Sequence, residues 1–269
     1  MRVALTIAGS DASGGAGIQA DLKTFQAHGV FGMSAITAVT VQNTQKVYDI
    51  QEILPKIVHD QIVCLFDDVK IHAVKIGMVS SIELVQTIAT ALTTVESPPI
   101  VLDPVMISKS GYRLLNQDAQ DALTHYLFPL AEVVTPNIYE AEALVGRKIA
   151  TVEDMKQAAL DILSLGAKKV VVKGGHLKED RATDILSDGL EFKALKSHWV
   201  KTKNTHGTGC TFSSAIAANM ALGKSFFEAV TLSKAYVTGA IEHSLSIGHG
   251  HGPTHHFFDL YEKAGLNTG

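Results

Sequence analysis

Val3-Ala4-Leu5-Thr6-Ile7-Ala8-Gly9-Ser10-Asp11-Ala12-Ser13-Gly14-Gly15-Ala16-Gly17-Ile18 decides the fold class. A short apolar, β-prone run over residues 3–7 empties into glycine-rich chain, and Ile18, Leu22 and Phe25 then recur at helical spacing. The stretch reads as strand, loop and helix, the helix starting near Gly15 to Gly17 and ending before Gly29. Apolar runs at 34–41, 73–76, 100–102, 132–135 and 170–172 alternate with helical segments in the same manner. That alternation predicts an α/β protein with a mainly parallel sheet covered on both faces. Residues 48–53 read as a small antiparallel partner of 34–41, and 185–187, 192–195 and 199–202 as a later meander turning at Asp188-Gly189. Ser80-Ser81-Ile82-Glu83 reads as a capping box, and Thr151-Val152-Glu153-Asp154 as the start of a helix that ends at Gly166. No repeat, low-complexity stretch or linker intervenes, so residues 1–269 are expected to form one domain.

Composition narrows the partners. With 46% hydrophobic and 19% charged residues, the chain has the makings of a soluble protein with an ample core. A net charge of -4 and the lack of a Lys/Arg run argue against nucleic acid. No apolar stretch is long enough to cross a bilayer, and residues 3–7 are too short for a signal sequence, so no membrane partner is expected. Cys64 and Cys210 lie far apart in unlike contexts, which fits a reducing, cytoplasmic setting better than a disulfide framework.

The residues that follow each strand carry the chemistry. Gly9 to Gly17, Gln42-Asn43-Thr44, Gly77-Met78, Asp103-Pro104-Val105, Pro136-Asn137 and Lys173-Gly174-Gly175-His176 are all polar or glycine-rich. Ligands of open α/β sheets bind outside the carboxyl ends of the strands, so these loops should line one elongated cleft. A second glycine-rich run, Asn204-Thr205-His206-Gly207-Thr208-Gly209-Cys210, opens a helix of small residues. Its glycines bring bare N–H groups toward a ligand, and the helix start favours an anion; the same field is expected to favour a Cys210 thiolate. The alternative is a capped turn with an inert buried thiol. Gly14, Gly15 and Gly17 lack the Gly-x-Gly-x-x-Gly spacing of a dinucleotide site, and no Walker A sequence is present. Asp103, Asn137 and Glu140 are oxygen donors suited to a hydrated magnesium ion bridging phosphates. Asp21 either faces a ligand or supports its own helix, and the histidines of 249–256 either bind a metal or close the fold.

Gly9-Ser10-Asp11, Ser13-Gly14-Gly15-Ala16-Gly17-Ile18-Gln19-Ala20-Asp21, Thr135-Pro136-Asn137 with Glu140, Lys173-Gly174-Gly175-His176 and the 204–210 run occur in one order across nearly the whole chain. Together they resemble the hydroxymethylpyrimidine and phosphomethylpyrimidine kinases of thiamin synthesis, a branch of the ribokinase-like superfamily. The resemblance implies a three-layer α/β/α domain with a small lid, a homodimer, and ATP-dependent phosphorylation of 4-amino-5-hydroxymethyl-2-methylpyrimidine and then of its monophosphate. It places Gly9, Asp21, Gln42, Met78 and Val105 around the pyrimidine, with polar contacts from Asp21 and Gln42. Gly207, Thr208 and Gly209 would hold the transferring phosphoryl group and Cys210 would act on it, standing where related sugar kinases place an Asp. Asp103, Asn137 and Glu140 would organise magnesium, and Lys173, with Asn137 and Thr208, would contact ATP. A sister branch phosphorylates pyridoxal with a second thiol in the lid. Here Ile107-Ser108-Lys109 carries Ser108 at that place, which favours the pyrimidine branch and leaves pyridoxal or pyridoxine as the alternative substrate. Acyl transfer through Cys210 with His206 or His176 as base, and a non-catalytic sensor, are the competing readings.

Overall fold

The computed structural model describes residues 1–106, 117–177 and 182–266. The first strand, β1 (Val3–Asp11), runs past the expected end into Gly9-Ser10-Asp11. It pairs in parallel with β2 (Phe31–Gln42), and the register shifts between Ala8 and Ser10, so Gly9 occupies a bulge. Between them lies α1 (Gly17–Ala27), and β3 (Val47–Glu52) returns antiparallel to β2. Next come α2 (Pro55–Asp68), β4 (Ala73–Ile76), α3 (Ile82–Thr93), β5 (Ile100–Leu102), α4 (Gln117–Tyr126), β6 (Val133–Val134), α5 (Ile138–Val145), α6 (Val152–Ser164) and β7 (Val170–Val172). The chain continues through β8 (Thr183–Ser187), β9 (Phe192–Lys196), α7 (Thr208–Ala221), α8 (Phe226–Glu242) and α9 (Phe258–Lys263).

The strands form one sheet in the order β3-β2-β1-β4-β5-β6-β7-β8-β9, parallel from β2 to β7 and antiparallel at both edges. Side chains alternate between its faces. Leu5, Ile7, Val74 and Ile76 pack with Val58 and Ile62 of α2, Leu84 and Ile88 of α3 and Met155 of α6. Ala4, Ala73 and Val101 face the other way, toward Phe25 of α1, Phe212 and Ile216 of α7 and Val230 of α8. The result is the expected three layers. After β1 the chain moves outward to β2 and β3, then crosses back to β4 on the other side of β1. That reversal opens a crevice between the carboxyl ends of β1 and β4, the usual ligand position in such sheets.

Several expectations are corrected. α3 starts at the expected place, but Ser81 is its N-cap and makes no side-chain cap bond, while the Ser80 hydroxyl is buried without a partner. Residues 199–202 form no strand; the meander ends at β9. Helix α2 has no counterpart among the expected elements, although Pro55 at its first turn and the i,i+4 pair Val58 and Ile62 are a usable signal. Thr151 and Asp154 do form a reciprocal capping box. Ser108 and the lid expected around it lie outside the described residues.

The histidine-rich tail closes the fold. His206 N–H donates to Gly252 O at 3.0 Å, His255 N–H to Ala240 O at 2.9 Å, and Thr211 Oγ1 stands 3.1 Å from His256 Nε2. Among the described residues no three His, Cys, Asp or Glu side chains gather to hold a metal. Burial, then the charges of Lys23 and His255, pushes His256 from its ordinary 6.5 down to about 3. Between these values the unfolded chain binds a proton that the fold refuses, so stability is complete above the ordinary value and falls as pH drops below it. Lowered values at His28 and His255 act with the same sign. At pH 5 the His256 contribution amounts to about 2 kcal/mol. The expected outcome is a Tm that declines steadily from pH 7.5 to 5, with a shallower decline in His256→Gln, read by thermal unfolding across that range.

Candidate active site

The site is built where α7 meets the crevice. Its N-cap, Gly207, has a left-handed backbone (φ 77°), and a methyl group there would lie 1.8 Å from the carbonyl oxygen of Gly15. Glycine is therefore required twice over, by conformation and by the approach of the β1–α1 loop. Thr208, Gly209 and Cys210 form the first turn of α7, where backbone N–H groups have no carbonyl one turn back within the helix. Thr208 turns its hydroxyl back onto Thr205 O at 2.9 Å, and its amide reaches the same carbonyl at 3.4 Å. His206 pins the run to β1: its Nε2 lies 2.7 Å from Asp11 Oδ2, and Asp11 also accepts the N–H of Ala16 at 2.8 Å and of Ser13 at 2.9 Å. Burial works against the Asp11 charge, but His206 and Ser13 outweigh it and hold the carboxyl at about 2.

Beyond the first turn of α7 stand the expected phosphate-side residues. Lys173 Nζ donates to Asp103 Oδ1 at 2.9 Å, and Thr135 Oγ1 donates to the same oxygen at 3.2 Å. A methyl on Gly209 would lie 3.5 Å from Asp103 Oδ2 and 3.6 Å from Lys173 Nζ, so the ion pair directly flanks the helix start. Burial disfavours the Lys173 charge, yet Asp103 and Glu140 raise its affinity for the proton, and it stays cationic. Asn137 and Glu140 are bound to each other as the capping box of α5: Glu140 N–H donates to Asn137 Oδ1 at 3.0 Å, and Asn137 N–H to Glu140 Oε2 at 2.8 Å. Burial first, and then Asp103, pushes Glu140 up, while Lys173 pulls it back.

On the opposite wall a methyl on Gly9 would lie 2.5 Å from Met78 Cε, so the bulge of β1 and the loop after β4 meet at the switch point. Val105 follows Asp103 in a tight turn, its N–H donating to Asp103 O at 2.8 Å. Gln42 ends β2 with its amide nitrogen 3.4 Å from His206 Nε2.

Two expectations change. Asp21 does not face the crevice: it is fully buried, with Lys75 at 3.0 and 2.9 Å, Ser214 Oγ at 2.6 Å and Thr6 Oγ1 at 2.6 Å on its two oxygens. These four hydrogen bonds, from three side chains, leave no lone pair for a pyrimidine. Cys210 is not a ready thiolate either. Burial pushes its thiol up to about 11, Lys75 pulling down against Asp21 and Asp103, and the field of the helix start is too small to offset it. Sequence reasoning misses Lys75. The usable signal is a lysine inside Ala73-Val74-Lys75-Ile76, a strand buried at every position. It also passes over Gly223-Lys224-Ser225, which joins α7 to α8 and lacks the strand that precedes a phosphate loop.

The phosphomethylpyrimidine kinase family model matches residues 11–255. The hydroxymethylpyrimidine/phosphomethylpyrimidine kinase of Bacillus subtilis is 44% identical over 266 residues, which cover 98% of this chain and 97% of that protein. A crystal structure of phosphomethylpyrimidine kinase from Clostridium difficile 630 is similar at a TM-score of 0.81 and 51% identity, over 90% of this chain and 100% of that one. An ADP complex of Bacillus subtilis pyridoxal kinase is similar at a TM-score of 0.89 and 40% identity, over 96% and 98% of the two chains. Fold and site together define a ribokinase-like small-molecule phosphotransferase. The chain belongs to the phosphomethylpyrimidine kinase family.

Gly207→Ala tests the geometry of the helix start. The methyl group has nowhere to go without moving residue 15 or tilting α7, and a displacement of about 1 Å at a reacting centre costs about a hundredfold in rate. Steady-state kinetics of the purified variant are expected to show at least that loss in kcat, together with a lowered Tm.

Proposed function

We propose that residues 1–269 act as one kinase domain that transfers the γ-phosphoryl group of ATP to the hydroxymethyl group of 4-amino-5-hydroxymethyl-2-methylpyrimidine and then to the resulting monophosphate, giving the diphosphate used in thiamin synthesis. The observation that carries this reading is the junction of the α7 start with the Asp103–Lys173 pair beside the crevice. Phosphoryl transfer is mostly positioning and charge stabilisation, and those are the two things the junction supplies. The amides of Gly207 and Gly209 face the transferring group, that of Thr208 joins them on leaving its 3.4 Å contact with Thr205 O, and Lys173 balances the charge. Met78 and Val105 pack on the ring above Gly9, and Gln42 supplies its polar contact, with Asn137 holding the ATP-side loop.

Magnesium suits the donors that remain. Among the described residues Asp103 Oδ2 has one weak partner, Ser213 Oγ at 3.4 Å, so it would have lone pairs to offer a hydrated cation, and Glu140 would contribute through the cation's water. Asn137 contributes by fixing Glu140. The ion would neutralise phosphate charge as it is transferred. The reading also includes a homodimer in a reducing cytoplasm. Val39, Val41 and Tyr48, exposed at 44%, 57% and 52% on β2 and β3, supply apolar surface for the first, and the unpaired Cys64 and Cys210 suit the second.

On this reading the Cys210 thiolate takes the proton that the hydroxymethyl group gives up. A thiol already carrying its proton cannot accept a second, so the alcohol step draws on the fraction of Cys210 that is ionised as thiolate. The monophosphate, with a second pKa of about 6, is already ionised and has no such need. The likeness to a pyridoxal kinase supports pyridoxal as a second substrate to be tested.

An ATP-consumption assay with magnesium, run on the pyrimidine alcohol, its monophosphate and pyridoxal with product masses recorded, tests the reading. Turnover of both pyrimidines to the diphosphate is expected; turnover of pyridoxal alone would overturn it. Cys210→Ala is expected to slow the alcohol step by about a hundredfold and the monophosphate step far less. Equal slowing of both steps would end that division of labour.

A further inference from the structure

We infer that Lys75 is a positioning residue for phosphoryl transfer: held by Asp21 beneath the first turn of α7, its ammonium supplies the positive charge that lets Cys210 accept a proton. The inference rests on the reading of Cys210 as proton acceptor.

The geometry is continuous from cation to thiol. Strand alternation sends Lys75 toward α1 and α7 with Ala73, and parallel pairing sets it beside Thr6. Its Nζ lies 3.0 and 2.9 Å from the two oxygens of Asp21, with both side chains fully buried. Ser214, one helical turn beyond Cys210 on the same face of α7, donates to Asp21 Oδ1 at 2.6 Å. Gly17, which opens the helix carrying Asp21, directs its N–H at the Cys210 sulfur. A methyl on Gly77 would lie 2.6 Å from Lys75 Nζ, so the ammonium sits directly under the backbone that lines the crevice. Thiol and ion pair thus share α1 and α7 as supports, and only glycine separates the cation from the site.

Stability does not explain this pair. Two charges taken fully out of water gain little over apolar side chains of the same volume, and sites of this kind are often as stable without them. A lysine in the middle of a buried strand therefore points to use of its charge. The charged groups facing Cys210 are Lys75 from β4, Asp21 from α1, Asp103 after β5 and Lys173 after β7. The lysines favour the thiolate and the carboxylates oppose it. In the alcohol step, which proceeds from the ionised form of Cys210, the hydroxyl proton passes to the thiolate and makes it a thiol, the oxygen bonds to the γ-phosphorus, and the bond from that phosphorus to the bridging oxygen breaks, leaving its electron pair on ADP. Lys75 keeps all its protons.

The test reads the thiol without any substrate. In a Cys64→Ser background, which removes the exposed thiol, alkylation of Cys210 by iodoacetamide is followed against pH by intact mass. Asp21→Asn leaves the cation and removes an opposing charge, so the midpoint is expected to fall and the rate at pH 8 to rise about tenfold for every pH unit by which the midpoint drops. Adding Lys75→Met to it is expected to reverse the change and carry the midpoint above the parent's. If Asp21→Asn, left with an unpaired cation, fails to fold, the neutral pair Lys75→Met/Asp21→Asn is compared with the parent alone, and the midpoint rises. The neutral pair is also expected to lose the alcohol step while retaining the monophosphate step. Coincident midpoints in parent and variants, with both pyrimidines still turned over by the parent, would overturn the role of Lys75 alone. Displaced midpoints in a protein that turns over neither pyrimidine would overturn the substrate reading and leave Lys75 in its role.

Discussion

Two backbone segments almost two hundred residues apart must touch for this site to exist. Gly207 and Gly15 meet so closely that a single methyl group would fall 1.8 Å from a carbonyl oxygen, and the Asp11–His206 pair, at 2.7 Å, fastens the same two segments, one residue before Gly207 and four before Gly15. The contact brings the start of α7 over the end of β1. Because β1 is also the strand at which the sheet reverses direction, the helix amides land on the one crevice the topology leaves open. The tail then locks the arrangement from behind, since His206 N–H is held by Gly252 O and Thr211 by His256. Position, in this protein, is set by backbone, and side chains add charge to it.

The charges are arranged as pairs around the first turn of α7. Lys75 with Asp21 lies beneath it, Lys173 with Asp103 beside it, and Asp11 with His206 at its entrance. Each pair takes its partners from different elements: β4 and α1, the loops after β7 and β5, and β1 and the 204–207 run. Removing one member of either lysine pair, or His206 from Asp11, leaves a buried charge uncompensated, which is costly; keeping the pairs costs desolvation in every folded molecule. Such an arrangement holds a site whose own charge is close to balanced, to which a highly anionic nucleotide can add without meeting a field already of its own sign.

Much of this is legible in the chain. The interior strands at 73–76, 100–102 and 170–172 fall at their expected bounds because they are buried on both faces and read as plain apolar runs. Thr151 and Asp154 declare their helix because a capping box is a local bond between residues three apart. What escapes is everything that depends on a distant partner. Ser10 and Asp11 look like loop, yet their pairing with β2 keeps them in a strand. Ser81 has the residue type of a cap without the bond. Asp21 and Lys75 are separated by more than fifty residues, so neither can be seen in sequence to neutralise the other, and Asp21 reads as a substrate contact. Cys210 reads as a thiolate because the helix start is visible in sequence whereas its burial is not.

That last difference bears on why a cysteine stands there at all. A carboxylate at position 210 would be a fixed negative charge close to Asp21, Asp103 and the phosphates of ATP, and like charges at such range repel strongly in a buried site. For a neutral alcohol the repulsion is tolerable, since only ATP brings charge. A monophosphate brings about two further negative charges to the same place. A thiol held near 11 is uncharged in nearly every molecule that binds either substrate, and only its small ionised fraction can take the proton of the reacting oxygen. One residue can then act through that fraction as proton acceptor in the first step and stand aside, neutral, in the second. A carboxylate could do the first and would obstruct the second.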